Sequence, residues 1–225
     1  TDTRQSLNYA QLLDKVSRFA GGLQDDLGVK RGDRVLIYMP AIPETIISML
    51  ACARIGAVHS VVFGGFASKE LAARIDDACP KVIVTASAGV EKGEVLPFSP
   101  LLEGALQMAK HVPGHVVVKH RDRLPGGAVT YERGQVRPTS ENESVAETAY
   151  HEFSLLEEEA APVPCVPLKS SDPLYTLYTS GTTGAPKAVM RDQTHAVSLA
   201  WSMEHFMRMQ PGETYWAASD LGWVR

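Results

Sequence analysis

Three short apolar runs, Arg34–Met39, Ala57–Phe63 and Lys81–Ala86, alternate with segments of helical periodicity, and this alternation narrows the possible folds more than any other feature. Ahead of the first run, Leu12, Val16, Phe19, Leu23 and Leu27 recur at three- and four-residue spacing, which predicts an amphipathic helix over 8–27. Gly28 stands where a left-handed cap would close that helix. Pro43 can open the next helix, because its missing N–H costs nothing at the first position. Ile46, Ile47, Leu50 and Ala53 give this helix its apolar face, and Gly56 ends it. Ser68 is the candidate N-cap of a third helix, which runs to Ala78 and stops before Pro80. Leu101–Lys110 reads as a further helix and His115–Lys119 as a further strand. The pattern predicts an α/β fold, a layered parallel sheet with flanking helices. The almost unbroken apolar character of the strands fits burial on both faces.

Residues 121–170 break the rhythm with Pro, Gly, Glu and Ser and are expected to form a surface excursion inside the domain. A short helical stretch is expected near 145–160, with Glu157, Glu158 and Glu159 as a solvated helix end. Beyond it, Leu174–Tyr178 reads as a strand, Thr194–Met207 as a helix and Thr214–Ser219 as a final strand. A hydrophobic share of 44% suffices for a core, so the chain as a whole is not of the disordered class. The formal net charge of −4 argues against a nucleic-acid partner, which favours a basic face. No apolar run reaches the roughly 18 residues of a membrane helix, so no membrane partner is expected. Cys52, Cys79 and Cys165 are odd in number and form no C-x-x-C pair, so neither a disulfide framework nor a structural zinc site is expected.

The chemistry is concentrated in Tyr178-Thr179-Ser180-Gly181-Thr182-Thr183-Gly184-Ala185-Pro186-Lys187. Glycines let backbone amides approach an anion closely. Hydroxyls donate to phosphoryl oxygens, and a lysine supplies a mobile point charge. An ordinary Ser/Thr/Gly turn needs neither the terminal Pro-Lys nor this density of hydroxyls. The run is not a Walker A loop, because Lys187 is followed by Ala188 where Ser or Thr is required. G-x-G-x-x-G after a strand is also absent, which disfavours dinucleotide binding.

The loop resembles the signature of the adenylate-forming (AMP-binding) superfamily. The run from Leu50 through His59 to Phe66 is similar to the acetyl- and propionyl-CoA synthetase branch. His195-Ala196-Val197, Trp201-Ser202-Met203 and Trp216 to Trp223 lean towards the propionyl-CoA synthetase type. The resemblance implies that residues 1–225 are part of the large AMP-binding domain, with the carboxy-terminal domain absent; both chain ends read as cut. It implies a two-step reaction. A short carboxylate attacks the α-phosphorus of ATP to give acyl-AMP and pyrophosphate, and the CoA thiol then displaces AMP. ATP, Mg2+ and CoA would be required. Thr179, Ser180, Gly181, Thr182, Thr183 and Gly184 would wrap the terminal phosphates, and Lys187 would act as the catalytic cation. Lys92, Gly93 and Trp223 would contact CoA, and Val224 would border the acyl pocket. No protein metal ligands are implied. The compartment would be the cytoplasm or the mitochondrial matrix.

Several residues depart from the family pattern. Ala188 replaces a glycine, the Gln193–His195 stretch is one residue short, and Glu94 reverses the charge of an arginine expected to meet CoA. A non-catalytic truncated product that at most binds nucleotide therefore stands as the alternative. His59 is expected as a core histidine, His151 and His205 as helix-surface residues, and Asp76-Asp77 as a solvated face.

Overall fold

The computed structural model describes residues 6–133, 148–179, 187–217, 219 and 221–222. Helix α1 (Tyr9–Gly21) starts at Asn8, whose side chain accepts from the Gln11 amide while the Gln11 side chain accepts from the Asn8 amide, both at 2.9 Å. This reciprocal pair satisfies two amides that a first helical turn leaves without partners. The helix expected over 8–27 is thus α1 followed by a π-helical turn at Gly22–Asp26. Strand β1 (Arg34–Tyr38), α2 (Pro43–Ile55), β2 (Val58–Val62), α3 (Ser68–Ala78) and β3 (Val82–Ala86) then alternate as predicted. Pro43 opens α2, and Gly56 closes it in the left-handed region at φ +71°. The start of α3 differs from the expectation. Ala67 takes the cap position, and the Ser68 hydroxyl donates 2.9 Å to the Leu101 carbonyl.

A hairpin of β4 (Ala88–Glu91) and β5 (Glu94–Pro97) follows, then α4 (Ser99–Met108), β6 (His115–Lys119), and a second hairpin of β7 (Arg121–Leu124) and β8 (Gly127–Val129). The remaining elements are β9 (Ala149–Glu152), α5 (Phe153–Glu159), β10 (Pro173–Thr179), β11 (Lys187–Asp192) and α6 (Gln193–Trp201), with a π-helical turn at Ser202–Phe206. Seven strands form one sheet in the order β11-β10-β2-β1-β3-β6-β9. All neighbours are parallel except β10 and β11, which are antiparallel.

Because successive strand side chains point to opposite faces, β1 feeds two cores. Val35 and Ile37 join Phe19, Leu23, Ile47 and Ile55 under α1 and α2. Leu36 and Tyr38 join Leu71, Ile75 and Leu102 under α3 and α4. This two-sided sheet is the architecture that the strand–helix alternation predicted.

Part of the segment expected as a surface excursion is built into the body. β9 extends the sheet beside β6, and Phe153 is fully buried, stacked on Phe19 with ring centroids 4.1 Å apart. The helical stretch expected near 145–160 is therefore β9 followed by α5. Glu157 is buried and ion-paired with Lys15, whereas Glu158 and Glu159 are exposed as expected. The final strand expected at Thr214–Ser219 does not form over the described residues 214–217 and 219.

Candidate nucleotide site at the carboxyl edge of the sheet

β10 runs parallel to β2, with Tyr175 opposite His59, so its last residue, Thr179, lies at the same end of the sheet as the carboxyl termini of β1, β2 and β3. In open parallel sheets that edge is where ligands bind. The antiparallel return of β11 sets Thr179 directly opposite Lys187, and the Thr179 hydroxyl donates to the Lys187 carbonyl at 3.3 Å. The first hydroxyl and the terminal cation of the glycine-rich run thus flank one position of the sheet edge, with Lys187 exposed. Ser180, Gly181, Thr182, Thr183 and Gly184 lie outside the described residues, as do Trp223 and Val224. Ala188 sits in β11 opposite Tyr178 and is exposed, so its β-carbon stands in solvent.

The candidate CoA contacts Lys92 and Gly93 form the two-residue turn of the β4–β5 hairpin, at φ +51° and +87°. Positive φ at both positions is the turn geometry that matches strand twist. The turn is exposed and flanked by Glu91 opposite Glu94, two like charges across the hairpin. Glu91 Oε2 lies 3.3 Å from where a Cβ on Gly65 would stand, so the hairpin reaches the turn that follows β2. The Tyr38 hydroxyl holds that turn through the Gly64 and Phe66 carbonyls at 3.1 and 3.0 Å.

From Phe66 a chain of contacts runs back to the strand that enters the glycine-rich run. The buried Arg74 guanidinium lies 4.2 Å from the Phe66 ring centroid and 5.5 Å from that of Tyr178. Burial lowers the pKa of Arg74, partly opposed by Tyr178 and Glu70. The Tyr178 hydroxyl donates 2.7 Å to Asp77 Oδ2. Burial, together with the Asp77 carboxylate, raises the pKa of that hydroxyl, so it remains a donor. Asp76 Oδ1 accepts from the Lys110 and His111 amides at 2.7 and 2.9 Å. Both carboxylates expected as a solvated face therefore hold structural partners.

His59 is buried as expected, and burial pulls its pKa down to about 4. Its Nδ1 has no hydrogen-bond partner. His151 is not on a helix surface. It lies in β9, with its Nε2 3.1 Å from His115 Nδ1. His205 is exposed in the π-helical turn, stacked on Trp201 with centroids 4.9 Å apart. Among the described residues no group of three or more His, Cys, Asp or Glu side chains could hold a metal ion, and no helix is long and apolar enough to cross a membrane.

Sequence and structure comparisons agree with this architecture. The mouse protein named acyl-CoA synthetase short-chain family member 3, mitochondrial, is 48% identical over 225 residues, which is all of this chain and 30% of that protein. The propionate–CoA ligase of Escherichia coli (strain K12) is 44% identical over 225 residues, all of this chain and 33% of that protein. Acetoacetyl-CoA synthetase from Streptomyces lividans shares the fold with a TM-score of 0.78 at 23% identity, over 97% of this chain and 31% of that one. The chain thus spans about 30% of the length of the curated relatives it matches. A family profile described as AMP-binding enzyme matches residues 1–224, and the chain belongs to that family.

Proposed function

We propose that the full-length protein joins a short carboxylic acid to CoA at the expense of ATP, with propionate preferred to acetate. The observation that carries this reading is the pairing of Thr179 with Lys187 at the carboxyl edge of a buried parallel sheet. The names and identities of the relatives support the choice of acid and thiol. The carboxylate attacks the α-phosphorus of ATP, forming acyl-AMP and releasing pyrophosphate. The CoA thiol then attacks the acyl carbon and AMP leaves. In this reading the Thr179 hydroxyl turns from the Lys187 carbonyl to donate to a phosphate oxygen, and the Lys187 ammonium offsets charge on the departing pyrophosphate. Fixed positive groups aimed at developing charge are the usual main source of catalysis in such transfers. Ser180, Gly181, Thr182, Thr183 and Gly184 complete the phosphate contacts.

Magnesium travels with the triphosphate in this scheme, because it binds through phosphates and few carboxylates and keeps several waters. Lys92, Gly93 and Trp223 belong to the CoA side, and Val224 to the acyl pocket. Glu94 places a negative charge beside Glu91 on the CoA side, which favours a weaker grip on the nucleotide of CoA. Small molecules are the partners in this reading, which assigns no role to nucleic acid or membrane, and the compartment is the cytoplasm or the mitochondrial matrix. The test is acid-dependent pyrophosphate release by the full-length protein with ATP, CoA and two- to four-carbon acids. Release strongest with propionate supports the proposal, and no release with any acid rejects it. The 225 residues alone are expected to be inactive in both half-reactions.

A further inference from the structure

Tyr178 is the last buried residue of β10, and the next residue, Thr179, is the one that pairs with Lys187. Its side chain does not simply fill a hole. The hydroxyl donates to Asp77 across 101 residues of sequence at 2.7 Å, and the ring lies beside a guanidinium sunk between it and Phe66. Arg74 and Asp77 are three residues apart, so they share one face of α3. Arg74 is held in turn by its own helix, through a 2.7 Å bond from Nη1 to the Glu70 carbonyl. A phenylalanine at 178 would bury the same ring. The hydroxyl adds direction, tying the end of β10 to one place on α3.

We propose that Tyr178, Asp77 and Arg74 are positioning residues that hold Thr179 and Lys187 in register for the nucleotide's phosphates. This rests on the acyl-CoA synthetase reading above. None of the three touches the reacting atoms in this scheme. They act through the strand end. Losing the tie lets that end shift, and the cost falls on ATP binding before it falls on the acid or on CoA.

The experiment uses the full-length protein and steady-state kinetics with each substrate varied in turn. Tyr178→Phe and Asp77→Ala each raise KM for ATP roughly fivefold, which at tenfold per 1.4 kcal/mol is about 1 kcal/mol. KM for the acid and for CoA stays within about twofold. Asp77→Asn keeps an acceptor for the hydroxyl and behaves close to wild type. The double variant Tyr178→Phe/Asp77→Ala is no worse than either single change, because both remove the same bond. Asp77 is itself exposed, at the rim of the face it shares with Arg74, so its variants remain folded and keep the test decisive. An unchanged KM for ATP in both single variants, an equal rise for all three substrates, or fully additive effects would each overturn the inference. An inactive wild-type protein would instead overturn the functional reading, and this inference with it.

Discussion

The centre of the sheet and its β10–β11–α6 flank are buried very differently. Every residue of β2 and β3 is buried, whereas β11 and α6 bury none. In the centre, helices cover both faces. On the flank, Val197, Trp201 and Phe206 stand in solvent, Phe206 with 82% of its surface accessible. Among the described residues, several connections tie the flank to the body. They include the β10–β2 pairing at Tyr175 and His59, the Arg31–Asp172 ion pair, and the Arg74–Tyr178–Asp77 cluster. The candidate phosphate site lies on this seam. Stability is set in one region and site geometry in the other, so the two should respond to different substitutions.

The largest separation is expected from truncating the core. Phe19→Ala removes the ring stacked on Phe153 and should cost about 3–5 kcal/mol in denaturant unfolding. A cost below about 1 kcal/mol would mean that the α1–α5 contact does not carry the body.

The seam should show in the pH dependence of stability. The pKa of folded His59, about 4, lies below the ordinary 6.5, so the unfolded chain binds the proton more readily. Stability is fully present above about pH 6.5 and is lost as the pH falls through about 4. The loss amounts to about 3 kcal/mol at 1.36 kcal/mol per pH unit. His59→Phe should flatten that window. An equally steep loss in the variant would move the origin of the acid sensitivity elsewhere.

The smallest effect is expected on the flank. Leu199 in α6 is exposed, so Leu199→Ala should change stability by no more than about 0.5 kcal/mol in the same unfolding experiment. A cost close to that of Phe19→Ala would erase the contrast between the two regions.

The same contrast governs how far the sequence alone could be read. β1, α2, β2 and β3 were legible because buried strands are apolar runs and Pro43 and Gly56 punctuate the helix between them. β9 was hidden because Ala149–Glu152 runs without a break into the helix formers of α5, and only tertiary pairing with β6 makes it a strand. The β4–β5 turn was hidden because it places Lys92, not Asn or Asp, at positive φ. At the site, the hydroxyls, glycines and lysine pointed by composition to an anion, the expectation on which the proposed function builds. Arg74 and Asp77 gave no such sign, because their partner is Tyr178, far along the chain, and an Arg and an Asp on one helix face read as solvated.

Replacing the Lys187 ammonium in the full-length protein tests the phosphate site most directly. In acid-dependent pyrophosphate release, Lys187→Met should lower kcat by about 10²- to 10³-fold, the size seen when one preorganised group is removed from developing charge. Lys187→Arg should recover part of that loss. Release by Lys187→Met within about threefold of wild type would contradict the assignment of that side chain to the departing pyrophosphate.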